Sequence, residues 1–320
     1  MQRWKVKWAL QKAMSLSPWP HELNYLFQRF VTRGVVFNER RFEARLERIR
    51  LHLDAVRSSG PRAPGDFSVL ELGTGWVPAV SIGLALGGAA RVTSVDIADH
   101  LKPAAVAMVL AWYLRYARAG RLDPWLGPLA PGGVERLKQA QSLATRGQAR
   151  EALRSLGVEA VVSDIRGLVP PARSGSRSSG YDLIVSDITL EHVPAGELPA
   201  LLHAFRGLVA DDGAMSHLID FGDHYSYFDK RITPYNFYCF DDAAWERYNT
   251  TLLFQNRLRV SDFQRLFEEA GFQVTERRDE RPHAEQLRGL PLAPRFRAYP
   301  VEVQEVTSAW FLLRPASSPR

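Results

Sequence analysis

Cysteine is almost missing from this sequence. Cys239 stands alone among 320 residues, which excludes a disulfide within the chain and a cysteine-rich zinc centre. No run of about 18 apolar residues occurs, so no transmembrane helix is expected. The first residues lack the apolar core of a secretory signal, and a cytoplasmic protein is the expectation. No internal repeat is present. The net charge of +6 and pI near 9.5 permit an anionic partner, but lysine and arginine are scattered along the chain and solubility is the simpler reason. The remaining composition, 46% hydrophobic and 24% charged, is that of a globular chain with a large core. One elaborated domain fits better than two equal ones.

The chain is organised around residues 69–78, Val-Leu-Glu-Leu-Gly-Thr-Gly-Trp-Val-Pro. Apolar residues alternate around Glu71, break at Gly73 and Gly75, and resume at Ala79, Val80, Ile82 and Leu84. That pattern predicts strand, glycine turn and helix. Glycine lets backbone approach a ligand closely because no Cβ intervenes. A second apolar strand at 91–97 ends in Asp96, about 20 residues after Gly75, where an acid can accept both hydroxyls of a ribose. A dinucleotide site would want a third glycine where Pro78 stands, and the Glu71 carboxylate beside the turn would repel a pyrophosphate. A ligand carrying an amino group and a sulfonium suits that carboxylate better.

The stretch resembles motif I of the class I S-adenosylmethionine-dependent methyltransferases, roughly E/D-x-G-x-G-x-G, and departs from it at Val77 in place of the last glycine. Further on, Thr189-Leu-Glu-His-Val-Pro194 resembles the LEHVP stretch common in that superfamily. Strands ending in acids recur at 158–164 and 181–187, with a helix after the second and a fifth strand at 214–221. The resemblance therefore covers about residues 66–222. It implies an α/β fold: a seven-stranded Rossmann-like methyltransferase sheet with an antiparallel last strand, flanked by helices. It also implies S-adenosyl-L-methionine as cofactor, held by Glu71, Gly73, Thr74, Gly75, Asp96, Ile97, Asp164, Ile165 and Asp187. For Asp164 a plain turn or helix-capping role competes.

Residues 1–60 are predicted as an N-terminal helical lid and 61–320 as the cofactor-binding domain. The latter carries a helical insertion at about 121–156, including one helix over 134–156, and an aromatic insertion at about 223–256. Residues 58–65 and 173–180 read as a linker and a surface loop. A serine-led capping box is expected at 261–264, opening a helix. The basic amphipathic segment 1–16 either packs on its own domain or makes peripheral contact with a membrane surface. The aromatics from Tyr225 to Tyr248 either wall an acceptor pocket or form a satellite hydrophobic cluster.

Methyl transfer asks a protein for positioning and, with a protonated acceptor, for proton removal. His224, in a loop beyond the fifth strand, is the first candidate base, with His192 second and Asp223 beside them. The same carboxylates and imidazoles could instead hold a divalent metal orienting a diol, as in some O-methyltransferases, but they form no ligand motif; no metal ligand is assigned, and whether a metal assists is left open. Base methylation would want Pro-Pro and an aromatic where Ser186-Asp-Ile-Thr189 stands, so no nucleic acid is expected as partner. The expected activity is methyl transfer to a hydroxyl or amine of a small molecule or glycan. The alternatives are an NAD(P)-dependent oxidoreductase and a non-catalytic module of the same fold bound at a membrane surface. Oligomeric state is left open.

Overall fold

The computed structural model describes residues 2–30, 37–58, 64–172 and 179–316. Seven strands, β1 (Ser68–Leu72), β2 (Arg91–Asp96), β3 (Val158–Val162), β4 (Tyr181–Asp187), β5 (Val209–Asp220), β6 (Phe272–Glu280) and β7 (Ser308–Pro315), form one sheet. Their order is β3-β2-β1-β4-β5-β7-β6. The first five pair in parallel, and β7 runs antiparallel to both β5 and β6. The expected sheet, with its antiparallel last strand, is present.

The central strands are apolar almost throughout because helices cover both faces. Alternate residues of β1 enter separate cores, Val69 one and Leu70 the other. Helices of six residues and longer are α1 (Arg3–Ser15), α2 (Pro20–Phe30), α3 (Glu39–Arg57), α4 (Ala79–Leu86), α5 (Pro103–Arg118), α6 (Gly133–Thr145), α7 (Ala149–Arg154), α8 (Leu198–Leu208) and α9 (Val260–Glu269). The first core takes Phe42, Leu46, Ile49 and Leu53 of α3 together with apolar residues of α4, α5 and α6. The second is built from α8 and α9. Thus α3, though part of the N-terminal segment, is built into the sheet's own core.

Two local expectations are corrected. The helix expected over 134–156 is two, α6 and α7, because Gly147 at φ 88° ends the first in the left-handed conformation that favours glycine. The capping box lies two residues earlier than expected: the Asp262 carboxylate accepts the Arg259 amide at 2.8 Å, which places Ser261 inside α9. Residues 59–63 of the linker and 173–178 of the Ser/Gly-rich loop lie outside the described residues.

A third apolar cluster joins Trp4 of α1 to Tyr225, Tyr235, Phe237, Tyr238 and Trp245. Trp8 adds a hydrogen bond from Nε1 to the Arg247 carbonyl at 2.8 Å. So α1 packs on its own chain, and most of the aromatic insertion is the satellite cluster that receives it. No helix among the described residues is long and apolar enough to cross a membrane.

Candidate functional site

β1 delivers Gly73, Thr74 and Gly75 to the carboxyl edge of the sheet. Gly73 has φ 95°, and a Cβ there would meet Thr189 Oγ1 at 2.5 Å, so the turns after β1 and β4 fit only around a glycine. At Gly75, φ 59°, a Cβ would meet nothing within 4 Å, so this backbone faces open space. The Gly75 amide donates to Asp96 Oδ2 at 3.0 Å and the Ala98 amide to Oδ1 at 3.3 Å, holding the carboxylate at the end of β2. Ile97 follows with 78% of its surface exposed, and Val162, paired in register with Asp96, is also exposed. These two offer apolar surface at the ends of β2 and β3.

Glu71 stands behind the turn. Its carboxylate is buried and accepts from Ser94 Oγ at 2.6 Å, and that hydroxyl also meets Thr74 Oγ1 at 2.7 Å. Burial drives its pKa up to about 7, against the hydrogen bonds of Ser94 and Ser81. Asp164 caps the short turn after β3, accepting the Arg166 amide at 2.9 Å, and is ion-paired with the Arg166 guanidinium. Ile165 is buried in the second core. Asp187, at the end of β4, is ion-paired with Arg45 and, at 3.3 Å, with Arg48 of α3. Although burial acts upward, the two guanidiniums hold its carboxyl below the usual range. The structure therefore brings Gly73, Thr74, Gly75, Asp96 and Ile97 together and sets Asp164, Ile165 and Asp187 on either side.

Beside the turn lies a cavity of about 910 Å³, bounded by α2, α3 and the segments after β4 and β5. Trp76 and His100 form its wall towards the glycine turn, and His100 Nε2 lies 3.8 Å from Asp96 Oδ1. Lys7, Arg41, Arg45 and Arg48 also line it, giving it a positive wall. Burial lowers the Lys7 ammonium to about 8, with Asp223 acting the other way. Ile188, which also lines the cavity, has φ 56°, a left-handed backbone that a β-branched residue rarely adopts.

His192 and His224 both line the cavity, with ring centroids 5.0 Å apart. His192 Nδ1 meets the Phe254 carbonyl at 2.6 Å, so that nitrogen carries the hydrogen and donates it. His224 Nε2 lies 3.3 Å from Asp220 Oδ2, and Asp220 also accepts from the Gly222 amide and the Tyr227 hydroxyl. Asp223 is not on the wall. Its fully buried carboxylate accepts from Asn236 Nδ2 and the Tyr225 amide, each at 2.8 Å, and burial raises it to about 6. His217 is likewise internal, bonded to Ser186 Oγ and stacked between Phe205 and Phe267. The sequence reading missed Lys7, Arg41, Arg45 and Arg48. The last three fall at i, i+4 and i+7, a helical face distinct from the apolar stripe of α3, which was the available signal.

Family models give no match to this sequence, and neither do curated proteins. Similar solved structures include an S-adenosylmethionine-dependent methyltransferase from Clostridium acetobutylicum, with 8% identity, a TM-score of 0.46, and coverage of 92% of this chain and 98% of that one. A putative S-adenosylmethionine-dependent methyltransferase from Listeria monocytogenes gives 12%, 0.43, 83% and 99% in the same order. Magnesium protoporphyrin IX methyltransferase from Synechocystis, with bound SAH, gives 15%, 0.41, 83% and 84%. Likeness this distant decides nothing about the cofactor or acceptor of this chain.

Proposed function

We propose that this chain is a class I S-adenosylmethionine-dependent methyltransferase that methylates a hydroxyl or amine of a small molecule or saccharide bearing an anionic group. One observation carries the reading: a bare glycine turn, its Gly75 amide on the Asp96 carboxylate, at the ends of two adjacent parallel strands and beside a cavity with a basic wall. The residues fit the cofactor, since open space over Gly75 leaves room for it and Asp96 can accept ribose hydroxyls. Ile97 and Val162 supply apolar surface for a flat ring.

When bound, the cofactor supplies both the methyl group and the leaving group. The chain's own task is to hold the acceptor and take up its proton. Lys7 and Arg41 give the cavity charge that would hold a carboxylate or phosphate on the acceptor. Arg45 and Arg48, tied to Asp187, fasten α3 across the end of β4. The imidazoles of His224 and His192 line the cavity, the first 3.3 Å from Asp220, and are the bases assigned to take up that proton. α1, α2 and α3 serve as the cover over this cavity. Thermal-shift titration tests the reading: S-adenosylhomocysteine should raise the melting temperature and NAD should not. The reverse result would favour a dinucleotide enzyme.

A further inference from the structure

We propose that Glu191, His192 and His224 bind one divalent transition-metal ion on the wall of the cavity. One ligand-capable atom from each of these three side chains lies within 4.8 Å of the other two. An ion about 2.0–2.2 Å from each would need only small side-chain rotations to draw them in.

The observation that points to a cation is Glu191. It is 3% exposed, and neither carboxylate oxygen has a hydrogen-bond partner among the described residues. Its own amide and that of Asp220 lie near but outside hydrogen-bonding geometry. A buried acid without partners is costly, and a bound cation would supply the missing one. The neighbours already have the arrangement of outer-shell supports. His192 donates from Nδ1 to the Phe254 carbonyl at 2.6 Å, which leaves the Nε2 lone pair for an ion. Asp220, 3.3 Å from His224 Nε2, is itself fastened by Tyr227.

Two imidazoles and one carboxylate favour zinc, iron, cobalt or nickel over magnesium or calcium. His192 and His224 border the cavity, so a further coordination position opens towards an acceptor. An acceptor hydroxyl placed there would give up its proton to solvent more readily, and the imidazoles would act through the ion instead of as free bases. That role rests on the methyl-transfer reading; binding of the ion does not. No sequence motif announces the site, because Glu191 and His192 follow β4 while His224 follows β5.

The test uses the full chain, stripped with a chelator and loaded with Zn²⁺ or Co²⁺. Metal content is read by mass spectrometry, affinity by competition with a chromogenic chelator, and ligation by the visible Co²⁺ spectrum. One ion per chain is expected, with Glu191→Gln and His192→Ala each weakening binding by about 100-fold or more. Circular dichroism checks the fold, and if Glu191→Gln fails to fold, the exposed His192 carries the test. Failure of the parent chain to retain an ion would overturn the proposal. So would undiminished affinity in the variants, which would assign the ion to other histidines such as the His21 and His100 pair. S-adenosylhomocysteine binding in the same samples reports separately on the function: its loss with metal binding intact would sink the methyl-transfer reading and leave the ion site standing.

Discussion

Replacing Glu71 by glutamine removes an ionisable group that the fold holds under strain. The side chain is buried behind the glycine turn, with Ser94 Oγ donating to it at 2.6 Å. Burial raises its pKa from 4.5 to about 7. Between those values the folded chain binds more protons than the unfolded chain, so this group's contribution to stability falls as pH rises through the window and levels off above pH 7. The shift corresponds to a cost on the order of 3 kcal/mol once the carboxylate is charged. Glutamine can still accept from Ser94 and carries no charge. Urea unfolding of the ligand-free chain and of Glu71→Gln should therefore give similar stabilities near pH 5. By pH 8 the variant should be ahead by up to about 3 kcal/mol, less whatever its second amide hydrogen loses for want of an acceptor. A gap that is constant with pH, or that widens towards acid, would refute the account of how the turn is braced.

Two glycine variants should behave differently. Gly73→Ala meets Thr189 Oγ1 at 2.5 Å in a left-handed backbone and should lower stability by about 1–3 kcal/mol in urea. Gly75→Ala meets nothing, so it should cost only about 1 kcal/mol while weakening S-adenosylhomocysteine binding in calorimetry. Lys7→Met removes a buried ammonium whose pKa falls from 10.5 to about 8. The folded chain binds fewer protons than the unfolded chain between those values, so the penalty is fully present below pH 8. The variant should gain on the order of 3 kcal/mol at pH 7 by urea unfolding, yet raise KM about tenfold for acceptors bearing a carboxylate or phosphate. Trp4→Ala, opening a hole beside Tyr225 and Tyr248, should cost about 3 kcal/mol in the same assay.

The sheet was legible because each of its features is local. Alternating or continuous apolar runs, helical spacing at Leu198, Leu201, Leu202 and Phe205, and glycines at strand ends all lie within a few residues of one another. The turn at Gly73 and Gly75 and the acid at Asp96 were legible for the same reason. The acceptor side was not, because it is assembled from remote segments. Asp220 and Asp223 are both acids near the end of β5, yet one faces the cavity while the other is buried on Asn236, and only the fold of the following turn decides which. Tyr227 and Phe228 border the cavity while Tyr225, Phe240 and Tyr248 pack on Trp4, a division no local pattern carries. Glu191 was visible beside His192, but its burial without a partner was not.

On the methyl-transfer reading a sulfonium nucleoside occupies the open space over Gly75 and beside Asp96. Calorimetric titration of the chain with S-adenosylhomocysteine, repeated on Asp96→Ala, tests it most directly. Saturable one-to-one binding is expected, weakened by about 1–3 kcal/mol in the variant through loss of charge-assisted hydrogen bonds. Absence of binding to the folded chain, or equal affinity in the two proteins, would contradict it.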